Sequence, residues 1–396
     1  MDAEKVINRD NEYIMHTYAR DPLVIEKGYG MYAKGADRKS YLDFTSGIGV
    51  NSLGYCDMDW ADAVAEQAHR LQHTSNLYYT APCSKLAKRL CRRTGMEKVF
   101  FGNSGAEANE GAIKVARKYS FDHYGKGRDT VITLVNSFHG RTIATLTATG
   151  QEVFHNYFGP FNDGFEYAPA GDIDALKALA DEHTCAVMLE LIQGEGGVMA
   201  LDPDYVHAVR DFCDEKDLVL IVDEVQTGIG RTGTFLCCEH YGLKPDVVTL
   251  AKGLGGGLPI GAVLATAKAA AGMGPSTHGS TFGGNPIACA GANAVLDKMD
   301  ENFLRNVNEC AIRLRAGLEK LPHVKSVSGI GLMVGIEFED GIKASDVRAA
   351  CRENGLLVLT AKTRLRLLPP LILSELDVDE CLRILKEVLS DIKPAD

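Results

Sequence analysis

The sequence predicts an α/β protein. It has a large domain on a mostly parallel sheet sandwiched by helices, plus a smaller α+β domain. Three observations carry this. Between residues 97 and 266, short and nearly continuous apolar runs alternate with helix-length stretches. Runs without polar alternation suit strands buried on both faces, as in parallel sheets. The 396 residues exceed the roughly 100–200 that one ordinary domain takes. After residue 300 the pattern shifts to long helical stretches with short strands between them.

The elements follow in order. A polar opening precedes Val24–Phe44, which alternates as short strands punctuated by Gly28, Gly30 and Gly35, with a turn at Ala36–Lys39. Residues 59–73 and 83–94 have helical periodicity. Strands are expected at Lys98–Phe101, Thr130–Val135, Ala186–Leu191, Leu218–Val222, Val247–Leu250 and Gly261–Thr266. Helices are expected at Ala106–Tyr119, Ile173–Asp181 and Pro203–Glu215, and from Asn285–Pro286 to Met299. Beyond lie helices over 301–320, 345–353 and 376–392, and strands at Val324–Val327, Met333–Phe338, Leu356–Leu359 and Leu365–Leu368. The expected division is 51–300 for the large domain and 301–396 for the small one, with residues 1–50 contributing to the small domain.

Composition removes several classes of function. A net charge of −11 repels a phosphate backbone, so nucleic-acid binding is not expected. The cluster Lys88, Arg89, Arg92 and Arg93 reads as a solvated helix face. Eleven cysteines without a C-x-x-C pair point to a reducing compartment, with no disulfide framework and no metal site. The adjacent Cys237 and Cys238 read as small, partly buried side chains. No run reaches the ~20 apolar residues of a membrane helix, and Met1–Asp10 fits neither a signal nor a transit peptide. The expected location is the cytoplasm.

Four places can carry chemistry. Asp223 ends a buried apolar strand, at the sheet edge where ligands bind, and a carboxylate there needs a cationic or hydrogen-bonding partner. Lys252 follows the run Val247–Leu250 and precedes Gly253 and Gly255–Gly257; desolvation would make its amine a nucleophile toward an aldehyde. Ser104, Gly105 and Ala106 stand at a strand-to-helix turn whose free N–H groups suit a phosphate. Ser104 and Glu107 also fit a capping box. Phe138 can stack on a ring, and Arg141 can grip a carboxylate. Each has an ordinary alternative: a surface acid, a solvated lysine, a capped helix, core packing or a surface ion pair. Gly228, Gly230 and Gly233 match G-x-G-x-x-G, but Asp223 and Glu224 separate them from their strand and no helix follows, so a dinucleotide site is not expected.

Taken together and in order, these runs resemble a known family. Leu189–Gly197, Val222–Gly233, Leu250–Gly253 and Ser280–Pro286 are similar to the class III (ω-amino-acid) aminotransferases, pyridoxal 5′-phosphate (PLP) enzymes of fold type I. Thr45–Gly54, Ser75–Tyr79 and Leu365–Pro370 resemble members that act on acetylornithine. The chain departs from many members at Tyr55–Trp60 and at residues 36–39. The resemblance implies a seven-stranded sheet and a homodimer with shared active sites. It makes Lys252 the Schiff-base lysine and proton shuttle, pairs Asp223 with the pyridine nitrogen and puts Gln226 near the ring hydroxyl. Ser104, Gly105 and Ala106 would hold the phosphate, Thr281 would reach the phosphate of the neighbouring subunit, and Phe138 would stack on the ring. Arg141 would bind the α-carboxylate of the amine substrate. Arg366 would bind that of glutamate or 2-oxoglutarate, and Glu195 would pair with Arg366 while the amine is bound. The implied reaction moves the δ-amino group of N²-acetyl-L-ornithine to 2-oxoglutarate, in arginine biosynthesis. Succinylornithine, ornithine, N-succinyl-diaminopimelate and 4-aminobutyrate remain alternative substrates, and a PLP-dependent aminomutase a more remote reading.

Overall fold

The structure is a computed structural model and describes residues 2–394. Met1, Ala395 and Asp396, which the expected domain bounds include, lie outside the described residues. Seven strands form the main sheet, ordered Lys98–Gly102, Gly261–Ala265, Val247–Leu250, Val219–Asp223, Thr184–Leu189, Thr130–Leu134 and Phe165–Ala168. The strand Gly261–Ala265 runs antiparallel to both neighbours, and the other pairings are parallel.

The strands are apolar throughout because both faces are covered. Ala186, Met188, Val219, Ile221 and Val247 pack with Ala112, Val115 and Ala116 of the helix Gly105–Tyr124. The alternate residues Val187, Leu189, Leu220, Val222, Val248 and Leu250 join the larger core on the opposite face. Burying each such side chain stabilises the fold by about 1.5–3 kcal/mol.

Two smaller sheets flank this layer. The antiparallel strands Ile25–Tyr29, Tyr32–Gly35 and Ser40–Asp43 are extended by Leu356–Leu357, parallel to the last of them. Val324–Ile330, Met333–Phe338, Arg364–Leu367 and Leu359–Ala361 form an antiparallel sheet. The strand read as Leu356–Leu359 is therefore two strands, in different sheets, broken at Val358.

Among the elements that escaped the sequence reading are the helices Ala3–Tyr13 and Ile143–Ala148, the edge strand Phe165–Ala168, the short helices Ser46–Gly49, Cys238–Tyr241 and Ala267–Ala270, and the small hairpin Ile192–Gln193 with Met199–Ala200. Two local readings are corrected. Cys237 and Cys238 are fully buried, their N–H groups donating to the Glu224 carboxylate at 2.9 and 2.8 Å. The basic helix face is only partly solvated, since Arg89 pairs with Asp297 at 2.8 Å and donates to the Asn293 carbonyl.

The run Gly228–Gly233 opens no helix. It forms a joint with the C-terminal sheet. Arg231 is buried and donates to the carbonyls of Leu332 and Pro369, while the Leu332 N–H returns a bond to the Arg231 carbonyl at 3.0 Å.

Candidate active site

The carboxyl ends of the parallel strands converge on a cavity of about 430 Å³, a size that suits a cofactor. Asp223 is the last residue of its strand and lines this cavity, 4% exposed. Its Oδ2 accepts from Asn109 Nδ2 at 2.7 Å and lies 2.8 Å from His139 Nδ1; its Oδ1 accepts from the Val225 N–H at 2.9 Å. Asn109 cannot flip, because its Oδ1 accepts from the Thr249 hydroxyl and its Nδ2 also donates to the His139 carbonyl. The carboxylate is thus held by donors on three elements. His139 Nε2 is buried without a protein partner among the described residues.

Lys252 lies two residues past the strand Val247–Leu250 and lines the same cavity. Its φ of +43° is in the left-handed region, uncommon outside glycine and concentrated at functional sites. Burial depresses its amine below the ordinary lysine range. Glu195 and Asp223 oppose that shift and Arg366 adds to it.

At another wall, Ser104 caps the helix Gly105–Tyr124, its hydroxyl accepting the Glu107 N–H at 3.1 Å. The expected capping box is not closed. The Glu107 carboxylate reaches one residue further back, to the Asn103 N–H and side-chain amide at 2.8 Å. The Ser104 N–H is left free of it, beside those of Gly105 and Ala106 at the positive end of the helix dipole. A Cβ on Gly105 would lie 2.7 Å from Val225 Cγ1, so the cradle is narrow.

Phe138 and Arg141 line the cavity too. The Arg141 guanidinium stands 4.0 Å from the Phe154 ring and 5.4 Å from that of Phe138, with no ion pair among the described residues.

Arg366 and Glu195 form an ion pair, Nη1 to Oε1 at 2.6 Å, with Arg366 only 3% exposed. The same Nη1 donates to Gln226 Oε1 at 3.3 Å, and Gln226 lines the cavity, which fixes the pair beside it. Thr281 stands apart, exposed on the loop before the helix Pro286–Lys298 and outside the cavity.

The aminotransferase class-III family model matches residues 13–389. The chain is a class-III aminotransferase. It is 54% identical over 393 residues to the acetylornithine aminotransferase of Haemophilus ducreyi, covering 99% of this chain and all of that one. It is 49% identical to that of Caldanaerobacter subterraneus, over 98% of this chain and all of that one. Among solved structures it is similar to the ornithine aminotransferase of Toxoplasma gondii, with a TM-score of 0.94 at 34% identity over 98% of this chain and 95% of that one. It is also similar to the acetylornithine aminotransferase of Elizabethkingia anophelis, with a TM-score of 0.88 at 30% identity over 99% of this chain and all of that one.

As a class-III aminotransferase it is PLP-dependent, and its residues fit that cofactor. The cavity brings together a depressed lysine amine, a thrice-bonded carboxylate at a strand end, an aromatic side chain and a helix N-terminus with free N–H groups. These are the groups that an aldehyde, a protonated ring nitrogen, a flat ring and a phosphate call for.

The sequence reading missed Asn109, His139 and Glu190. Asn109 had a signal, as the polar residue on the face that buries Ala108, Ala112 and Ile113. Glu190 lies inside the run Leu189–Gly197 and His139 between Phe138 and Arg141, but nothing in their spacing shows what they touch.

Proposed function

We propose that this class-III aminotransferase transfers the δ-amino group of N²-acetyl-L-ornithine to 2-oxoglutarate. The products are N-acetyl-L-glutamate 5-semialdehyde and L-glutamate, a step in arginine biosynthesis. Full-length relatives named for acetylornithine support the amine. The observation that carries the two-substrate reading is the pair of buried Arg366 with half-buried Glu195 beside Gln226, with a second arginine, Arg141, at the cavity without an ion pair among the described residues. A site serving both half-reactions must face a neutral methylene in one and a carboxylate in the other. A buried arginine whose own carboxylate can step aside serves both without an unpaired charge.

Bound in this cavity, PLP supplies an aldehyde and an electron-withdrawing ring that eases loss of a proton from the substrate carbon. Ser104, Gly105 and Ala106 would hold its phosphate, Phe138 would cover the ring, and Gln226 would lie near the ring hydroxyl. Asp223, fixed by its three hydrogen-bond partners, would hold a proton at the ring nitrogen. Lys252, its amine held below the ordinary lysine range by burial, takes the substrate proton and returns it. Arg141 grips the α-carboxylate of acetylornithine, leaving the δ-amine inward. Glu195 neutralises Arg366 during this half-reaction and releases it to the α-carboxylate of 2-oxoglutarate in the next. Kinetics should be ping-pong.

The working unit is a homodimer, in which the partner subunit's Thr281 completes the phosphate grip. Its exposed position, beside the 60% exposed Phe282, supports this. A cytoplasmic location is supported by eleven free cysteines and by the absence, among the described residues, of a helix long and apolar enough to cross a membrane.

The test is an absorbance scan of the holoenzyme. Its visible band should bleach with acetylornithine and return with 2-oxoglutarate, and Lys252→Ala should abolish the cycle. A band indifferent to acetylornithine but bleached by ornithine, succinylornithine or 4-aminobutyrate would replace the amine. An unaltered cycle in Lys252→Ala would overturn the mechanism.

A further inference from the structure

The cavity holds a second carboxyl that the reaction above does not use. Glu190 directly follows the strand Thr184–Leu189 and is 5% exposed. It makes no ion pair with lysine or arginine among the described residues. Its two oxygens go to two separate segments. Oε1 accepts the Phe138 N–H at 2.8 Å, and Oε2 accepts the Gly194 N–H at 3.3 Å.

The first segment carries Phe138, His139 and Arg141. The second leads in one residue to Glu195, whose carboxylate is on Arg366. The charged and titratable groups facing Glu190 are His139, Asp223 and Lys252. A buried carboxyl held only by backbone N–H groups is a costly choice where a neutral acceptor would fill the space. Its worth lies in having two acceptor oxygens on one rigid plane, one for each segment.

We propose that Glu190 is a positioning residue that ties the Phe138–Arg141 segment to the Glu195 gate. It keeps Glu195 on Arg366 while the amine reacts. This rests on the two-substrate reading of the Glu195–Arg366 pair.

Glu190→Gln keeps the shape and one acceptor oxygen, but turns an NH2 toward the other N–H. The gate then loosens without a cavity forming. Competition for Arg366 weakens, so the KM for 2-oxoglutarate falls several-fold. Masking of Arg366 also weakens, so kcat/KM for acetylornithine falls about tenfold, the order expected for one hydrogen bond to a charged group. Opposite movements for the two substrates are not what a merely loosened fold produces. Glu190→Asp, which keeps the charge but reaches less far, should show the same split to a smaller degree and stands in if the glutamine variant does not fold.

Glu195→Gln measured alongside separates the two ideas. If it shows the split and the Glu190 variants do not, or if their KM values move together, the inference is overturned. If Glu195→Gln itself leaves both substrates unchanged, the gate reading fails and takes the inference with it.

Discussion

In the proposed reaction, Arg366 concentrates the substrate logic of the site in one side chain. It is buried, and its Nη1 meets the Gly194 carbonyl, Glu195 and Gln226. Truncating one member of a buried, hydrogen-bonded charge pair costs about 2–5 kcal/mol. Arg366→Ala should therefore lower kcat/KM for 2-oxoglutarate on the order of 10²-fold and affect the acetylornithine half-reaction far less; half-reaction kinetics by stopped flow would show it. Equal losses in both would refute the assignment. Glu190 makes a separate prediction about stability. Burial pushes its carboxyl from 4.5 up to about 7. Between these values the unfolded chain sheds the proton and the fold keeps it, so its contribution to stability is present below pH 4.5 and is lost as pH rises to about 7. The melting temperature of Glu190→Gln relative to the parent should rise across that window and level off above it; a flat difference would refute the shift. Legibility in the sequence follows from how these residues work. Lys252 and Asp223 could be found because each sits at the end of an apolar strand. Glu190 and His139 act through backbone groups and neighbours distant in sequence, so their types and spacing say little.

At the scale of elements, the strands buried on both faces were readable because their apolar runs are unbroken. Phe165–Ala168 was not, as an edge strand of four residues with Glu166 exposed. Leu356–Leu359 looked like one strand because its side chains stay apolar while the chain passes from one sheet to another. The glycine run Gly228–Gly233 shows the same limit, since its spacing resembles a nucleotide loop while Gly230 and Gly233 allow close packing against Leu304 and Asn308 of the helix Glu301–Leu318. Gly233 has φ +91°, and a Cβ there would lie 1.9 Å from Asn308 Oδ1, whose amide donates to the Gly233 carbonyl at 2.9 Å. Backbone strain of this kind costs about 1–3 kcal/mol, before the steric clash is added. Gly233→Ala should lower the melting temperature by several degrees. Because Arg231 in the same loop holds Pro369, three residues beyond Arg366, the variant should also raise the KM for 2-oxoglutarate. A destabilised variant with unchanged KM would show that the joint supports the fold but not the substrate grip.

For the whole molecule, the distribution of apolar surface bears on assembly. Leu77 and Tyr79 are 85% and 106% exposed, and Phe282 is 60% exposed. The loops that bear them are fastened together, with Asn76 Nδ2 donating to the carbonyls of Ser280 and Gly283. Large exposed apolar side chains next to Thr281 are what the proposed homodimer would cover. In the proposed dimer Thr281, which does not line its own cavity, would reach the phosphate of a neighbouring subunit. Two-fold pairing makes such an exchange reciprocal. The consequence is testable by complementation. Lys252→Ala chains retain Thr281, and Thr281→Ala chains retain Lys252. In a mixed dimer one site combines the intact Lys252 of one chain with the partner subunit's Thr281, and the other site has neither. Refolding the two variants together should therefore give activity above the average of the separate preparations, growing with the fraction of mixed dimers. If Thr281 served its own chain, every site would carry one defect and mixing would return the average alone.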